Sequence, residues 1–518
     1  MCRNMFHRLA TGILLLSCLL SCVPKQPKQD VLQRSSPEKE GMRTVGILRF
    51  LEEVKSKGID MHSLMILRHG KVITEGWWYP YQAKHRHIMH SVSKTFTSTA
   101  IGFAVDEKRL SVDDKVIAFF PDLLPANVSP YLEELTVKHL LTMSVGQDPA
   151  PSFALADGDW VKLFLATPIV HRPGTVFLYS SYASHVLSAI VQKVTGQTTY
   201  NYLRTRLFDP LHITGIQWEI DAPENNMGGW GMRIHTEDMA RLGLFYLQEG
   251  QWNGRQLLSK AWIKEASALH IYQRDSLTME EELHDNWAQG YGYQIWRCVN
   301  NAYRADGANG QFIIVMPEQD AVVVITENTG DTQQVLRLVF EHLQPVMVNG
   351  EYAIREEDRE ELTAMLSALS IPDPFRTDAA MELPKNTVRA YTIEANDKQM
   401  QTVSLAFDEA GDIRLTLSTT TGVSHTFPFG VDVWRYGETE KPSPYFLNPR
   451  RNPEGLLPLA TAGYGSWTSK DELRLRLLYV EDYQEETYTF RFKDNRVEIT
   501  MANNVEALHP VVLTGHLQ

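Results

Sequence analysis

The sequence predicts an α/β (α+β) fold: an antiparallel sheet flanked by helices, followed by a small all-β C-terminal domain. Three observations carry this expectation. Strand-like segments lie on both sides of a helix-rich stretch, which suggests a sheet completed by the chain's return. The helix-rich stretch between them holds compact apolar segments with few Gly or Pro residues. From about Val346 the character changes, and after one charged helix the remainder, from roughly Met381, alternates with a period of two, the mark of a half-buried antiparallel sheet.

Each element follows from local signals. Ser63–Glu75 reads as a hairpin with His69-Gly70 at the turn between two apolar runs. Ser91 to Val105 contains no Gly or Pro except Gly102, and Leu135–Leu141 and Ala183–Val194 read as short apolar helices. Strands return at Tyr291–Trp296, Gln311–Met316 and Ala321–Thr326, the last two joined by Pro317-Glu-Gln-Asp320. Glu356–Ser370 has the look of a charged amphipathic helix broken by Ile371-Pro-Asp-Pro-Phe375. Alternation then dominates, as in Leu473-Arg-Leu-Arg-Leu477, Tyr488-Thr-Phe-Arg-Phe492 and Val497-Glu-Ile499.

With 518 residues, the chain is too long for one ordinary domain, and 43% hydrophobic residues suffice for a sizeable core. A net charge of −13 argues against a nucleic-acid partner, because phosphate backbones would repel it. At the N-terminus, Arg3 and Arg8 precede an apolar run from Gly12 to Cys22 that is too short to span a bilayer. This is the anatomy of a secretory signal. Leu19-Leu20-Ser21-Cys22 also resembles a bacterial lipobox, with Cys22 as the lipidated residue. An ordinary cleaved signal with incidental cysteines is the alternative. Beyond this region only Cys298 remains, so no internal disulfide is expected. The expected organisation is a signal with lipobox over 1–22, a tether over 23–40, a catalytic domain over 41–345, a linker with a helix over 346–380, and a β-rich domain over 381–518. The expected location is a bacterial cell envelope, with the membrane reached through a lipid.

Ser91-Val-Ser-Lys94 is the leading chemical signal. A serine hydroxyl is a weak nucleophile and needs a base within hydrogen-bond reach. Residues three apart share one helix face, so Ser91 and Lys94 converge if a helix starts near Ser91. Burial can lower a lysine pKa enough for its neutral amine to take the hydroxyl proton. A rival signal is His85-Arg-His-Ile-Met-His90, whose close imidazoles suggest a zinc site. It lacks an aspartate at Met89 and a matching downstream set, and solvated histidines are the expectation, with His90 near the pocket.

His90-Ser-Val-Ser-Lys-Thr-Phe-Thr-Ser-Thr-Ala-Ile-Gly102 is followed in order by Leu135-Thr-Val-Lys-His-Leu-Leu-Thr-Met-Ser144, Arg172-Pro-Gly-Thr-Val-Phe-Leu-Tyr179 and Gly228-Gly-Trp-Gly-Met-Arg-Ile-His-Thr-Glu-Asp-Met-Ala240. Together these segments resemble the serine β-lactamase-related family, which includes class C β-lactamases, D-alanyl-D-alanine peptidases, esterases and amide-oligomer hydrolases. The resemblance runs from about Gly41 to His342. It implies a β-lactamase/transpeptidase-like sheet with a helical subdomain and a serine hydrolase acting through an acyl-enzyme. Ser91 matches the acylated nucleophile, Lys94 its partner, and Tyr179 the tyrosine of the second motif, which exchanges protons with nucleophile and leaving group. Without that match, Tyr179 reads as a core aromatic beside a turn. By the same resemblance the backbone N–H groups of Ser91 and Ala308 form the oxyanion hole.

Two departures stand out. Ser181 replaces the asparagine that usually ends the second motif, and a hydroxyl lacks the amide's donor and acceptor pair. Ala305-Asp306-Gly307 stands where Lys-Thr-Gly or His-x-Gly is usual. That removes the positive group that meets a substrate carboxylate, and Arg304 is the candidate substitute. Ser181, Arg304, Ala305, Asp306 and Gly307 are therefore the expected substrate-binding positions. The run Asp306–Gln311 is closer to the esterase and amide-oligomer hydrolase branches. No metal or organic cofactor is expected. The expected substrate is a small ester or amide, with a cell-wall peptide (as for a D-alanyl-D-alanine peptidase or weak β-lactamase) as the second option. A non-catalytic envelope binding protein is the third.

Overall fold

The computed structural model of the protein describes residues 32–151, 159–221, 224–274, 278–372, 375, 384–445, 456–506 and 509–518. Cys22 and the signal segment lie outside them. Six strands form the central sheet: β1 (Met61–Arg68), β2 (Lys71–Trp77), β3 (Trp296–Arg297), β4 (Tyr303–Gly307), β5 (Gln311–Met316) and β6 (Ala321–Glu327). Their order is β2-β1-β6-β5-β4-β3, and each neighbouring pair is antiparallel. Strands distant in sequence meet at the centre, with Leu64 opposite Ile325 and Ile66 opposite Val323.

Both central strands are buried along their whole length, which explains their continuous apolar sequences. Alternate side chains enter two cores. Met65, Leu67, Val322 and Val324 pack on one face with Phe96 and Phe245. Leu64, Ile66, Val323 and Ile325 pack on the other with Ile47, Phe50 and Leu336. The Ser93–Asp106 and Thr236–Leu247 helices thus cover one face, and Thr44–Ser56 with Thr332–Leu338 covers the other. A helical subdomain containing Val137–Leu141, Trp160–Ala166 and Ser181–Thr195 extends the first core.

Three expectations need correction. Tyr291–Trp296 is not a strand: only Trp296–Arg297 joins the ladder, while Tyr291 makes isolated bridges. Its aromatic side chains are buried against Phe177 and Trp262 instead. The expected tether is docked from Leu32 onward, because Arg34 pairs with Glu75 and Glu237, and Ser35 bonds the carbonyl of Val72. The helix expected in a linker, Glu356–Ser367, packs against Thr44–Ser56 and β2.

The C-terminal unit is a β-barrel. Its ten strands run from Thr387–Ile393 to Val511–Leu517, and a parallel pairing of Gly430 with Tyr464 closes the sheet on itself. Closure removes the exposed strand edges of an open sheet. Inward residues such as Leu405, Leu415, Phe427, Leu475 and Tyr488 fill the interior. The barrel docks on the first unit, since Trp434, Tyr464, Leu478 and Val480 share one apolar cluster with Trp78 and Tyr81. Among the described residues, no helix is long and apolar enough to cross a membrane.

Candidate active site

The chain leaves the short strand His87–Ile88 and turns at His90, whose φ of 43° is unusual for a residue with a side chain. A 3-10 turn over His90–Val92 then runs into the Ser93–Asp106 helix. This geometry brings Ser91 and Lys94 together: Lys94 Nζ lies 2.8 Å from Ser91 Oγ. The amine is also 2.9 Å from Ser181 Oγ and 2.6 Å from the Gly229 carbonyl. Lys94 is buried, with 1% of its surface exposed. Burial lowers its pKa from 10.5 to about 7, against an opposing pull from the Asp306 carboxylate.

All three of these hydrogen-bond partners are neutral. The neutral amine has two N–H donors and one lone pair. The Gly229 carbonyl can only accept, so the lone pair must face a hydroxyl. Ser91 is thereby able to donate its proton to Lys94.

The cradle depends on a close backbone approach. The segment at Gly228-Gly229 is held to the helix by Thr97, whose hydroxyl donates to the Gly228 carbonyl at 2.9 Å. A Cβ at Gly229 would stand 2.7 Å from the Ser181 carbonyl oxygen, so a side chain there would push the acceptor away from Lys94. Ser181 begins the Ser181–Thr195 helix, capped by Ser180. Its hydroxyl belongs to the Lys94 cradle, where the sequence suggested a substrate contact.

Tyr179 closes the group. The Lys94 amine sits 4.9 Å from its ring centroid, and a hydrogen bond links its side chain to Ser91. Trp296 stacks on the ring at 5.7 Å, and Tyr291 meets it edge-on at 6.4 Å. Burial pushes the phenol pKa well above its usual 10, and the Ser91 hydrogen bond pulls it the other way. The side chain still exposes 39% of its surface. Burial therefore acts at the hydroxyl end, and solvent at the open face moderates the shift. The group stays a neutral phenol near pH 7.

On β4, the expected substrate contact at Arg304 is corrected. Its guanidinium is fully buried and donates to Asp306 Oδ2 and to the Asn286 carbonyl, both at 2.7 Å. Trp287 and Trp296, packed on each other at 4.5 Å, lie against it at 5.0 and 5.6 Å. It cannot reach a substrate carboxylate from there. Asp306 is held in the same buried pair, and Ala305 packs in the core. Gly307 passes so close to the nucleophile turn that a Cβ would lie 2.4 Å from the Met89 carbonyl. This approach brings the end of β4, next to Ala308, against the turn that carries Ser91.

The histidines point to separate surroundings. His85 lies beside Tyr436, His87 bonds His62 at 2.9 Å, and His90 contacts Tyr445 and Tyr483. No group of three metal-ligating side chains occurs among the described residues. Sequence reasoning missed the Gly229 carbonyl, the aromatic support of Tyr179 by Trp296, and Gln294. The buried Gln294 joins the two site helices, accepting from Ser184 at 2.5 Å and from Thr95 at 3.0 Å. The Gly228-Gly-Trp-Gly231 run was the available signal for the first.

A family model described as Beta-lactamase matches residues 49–342, more than half of the chain. The chain belongs to this family, whose members are serine hydrolases acting on amides or esters. It is 24% identical to a 6-aminohexanoate-dimer hydrolase of Paenarthrobacter ureafaciens over 285 residues, 51% of this chain and 71% of that protein. It is also 24% identical to a beta-lactamase of Escherichia coli (strain K12) over 196 residues, 36% of this chain and 50% of that protein. A structure described as a putative beta-lactamase from Bacteroides dorei DSM 17855 superposes with a TM-score of 0.50 at 16% identity, covering 58% of this chain and 99% of that one. That likeness is one of fold.

Proposed function

We propose that the protein hydrolyses small esters or amides through an acyl-enzyme on Ser91. The supporting observation is the buried Lys94 amine, 2.8 Å from the Ser91 hydroxyl and lowered to a pKa of about 7. Neutral Lys94 takes the Ser91 proton as Oγ bonds the substrate carbonyl carbon. The backbone N–H groups of Ser91 and Ala308 hold the oxyanion. Tyr179, a neutral phenol, passes a proton to the leaving alcohol or amine as the tetrahedral intermediate collapses. Water then attacks the acyl ester as the Tyr179 phenolate takes its proton, and Lys94 returns its proton to Ser91 Oγ as the acid is released, so that all three groups regain their starting states.

The interior position of Arg304 favours esters and amides over substrates that end in a free carboxylate, because β4 presents no exposed cation. A relative is named for hydrolysis of a 6-aminohexanoate dimer, which supports amide cleavage but not the preference against carboxylates, because such a dimer itself ends in a carboxylate. The N-terminal pattern ending at Cys22 supports a lipid-anchored place in a bacterial envelope. Cys22→Ser should move the protein from the membrane fraction to the soluble one, and unchanged membrane association would remove that part of the proposal. The catalytic part is tested with a fluorophosphonate probe and a fluorescent penicillin on wild type and Ser91→Ala. Ser91-dependent fluorophosphonate labelling without penicillin labelling is expected. Efficient Ser91-dependent penicillin labelling would favour the peptidase reading, and labelling that survives in Ser91→Ala would overturn the nucleophile.

A further inference from the structure

The C-terminal barrel contacts the segments that surround the turn carrying Ser91. The barrel hairpin between strands Glu472–Tyr479 and Glu485–Lys493 ends in Val480–Gln484. That end is closed by a bond from Tyr479 N to the Gln484 carbonyl at 3.0 Å. Three successive residues of the tip each hold a different part of the nucleophile's support. Glu481 accepts two bonds from Arg86, at 2.8 and 3.2 Å. Asp482 accepts from the buried Arg233 at 3.2 Å. The Tyr483 ring lies 5.2 Å from the ring of His90.

These anchor points are linked. Ile88 pairs with Arg233 in a short antiparallel ribbon, and Met89 N bonds the Met232 carbonyl at 2.8 Å. Arg86 therefore precedes the strand that delivers the chain to Ser91, and Arg233 sits in the strand paired with it. His90, the residue before Ser91, holds its positive φ with its ring against Tyr483 and, at 6.3 Å and 12°, against Tyr445. A backbone conformation of this kind persists where its surroundings over-determine it. Here part of those surroundings comes from the barrel.

We propose that the barrel tip Glu481-Asp482-Tyr483 is a positioning element for Ser91, so that acylation depends on the C-terminal domain. The proposal rests on the reading of Ser91 as the nucleophile. Tyr483 acts through His90 by ring packing and does not touch the reacting atoms. Fast acylation needs Oγ held close to Lys94 and to the oxyanion donors, and loss of the brace should slow chemistry more than it weakens binding.

The test uses the full chain and compares Tyr483→Ala, Tyr483→Phe and Tyr436→Ala. Tyr436 is a second barrel contact, bonded to the Pro80 carbonyl and to Gln82, away from the nucleophile turn. The readouts are the fluorophosphonate acylation rate and kcat and KM on a short-chain p-nitrophenyl ester. Tyr483→Ala is expected to lower acylation and kcat about tenfold with KM within about twofold, while Tyr483→Phe and Tyr436→Ala stay near wild type. Tyr483→Ala within twofold of wild type would overturn the proposal, as would equal losses in Tyr483→Ala and Tyr436→Ala. If Tyr483→Ala does not fold, Arg86→Glu and Glu481→Arg serve instead. Each alone should slow acylation and the double swap should restore it, and failure of the folded double variant to recover counts against the brace. Labelling of wild type that persists in Ser91→Ala identifies a failure of the nucleophile itself, separately from the brace.

Discussion

Two buried cations stand near each other, and both interact with Asp306, yet their surroundings give them opposite tasks. Arg304 has a carboxylate at 2.7 Å and two neighbouring indoles against it. Its charge is compensated and fixed. Lys94 bonds two hydroxyls and a carbonyl, with no carboxylate in direct contact. Its charge is poorly compensated, so its proton is easily lost. Close pairing of a buried charge makes a structural element, whereas surrounding it with neutral acceptors makes a base.

Substitutions should separate the two. Lys94→Met should lower the acylation rate by about 10²–10⁴-fold, the range for loss of a positioned base, while the protein stays folded. Arg304→Ala should instead destabilise the fold by about 3–5 kcal/mol in denaturant unfolding, because it strands Asp306 without a partner in the interior. A small stability loss with a large rise in KM would return Arg304 to a substrate-binding role. Tyr179→Phe keeps the stacking on Trp296 but removes the proton donor, and should reduce kcat by about 10²-fold with a smaller change in KM. A further effect appears only in the pH dependence of stability. Between pH 7 and 10.5 the unfolded chain binds a proton at Lys94 that the folded chain does not, so folded stability gains from rising pH. The stability difference between wild type and Lys94→Met should therefore increase across that window by at most about 1.4 kcal/mol per pH unit, and be flat below it.

The contrast between these cations also marks what the sequence could express. Gln311–Met316 and Ala321–Thr326 were legible because β-branched runs were bounded by a proline turn. Ser91 and Lys94 were legible because their spacing of three brings them together at a helix start and because the ordered segments around them resemble one family. Ser181 and Arg304 were misplaced because the group a side chain faces depends on segments far along the chain: Lys94 for one, Asn286 and two tryptophans for the other. Tyr291–Trp296 was misread because aromatic residues suit strands and cores alike. Period-two alternation announced the C-terminal sheet, but its closure rests on the pairing of Gly430 with Tyr464, which no local pattern displays. The barrel tip at Glu481-Asp482-Tyr483 carries no signal of its own in the sequence, since only docking brings it to Arg86, Arg233 and His90.

The most direct test of the central claim is the pH dependence of Ser91 acylation by a fluorophosphonate, with Ser91→Ala as the blank. If Lys94 is the base, it works only when neutral. The rate should then rise with pH, reach half its maximum near pH 7, and level off above that. A midpoint near 10, or a rate flat from about pH 5 to 9, would contradict a neutral Lys94 as the base.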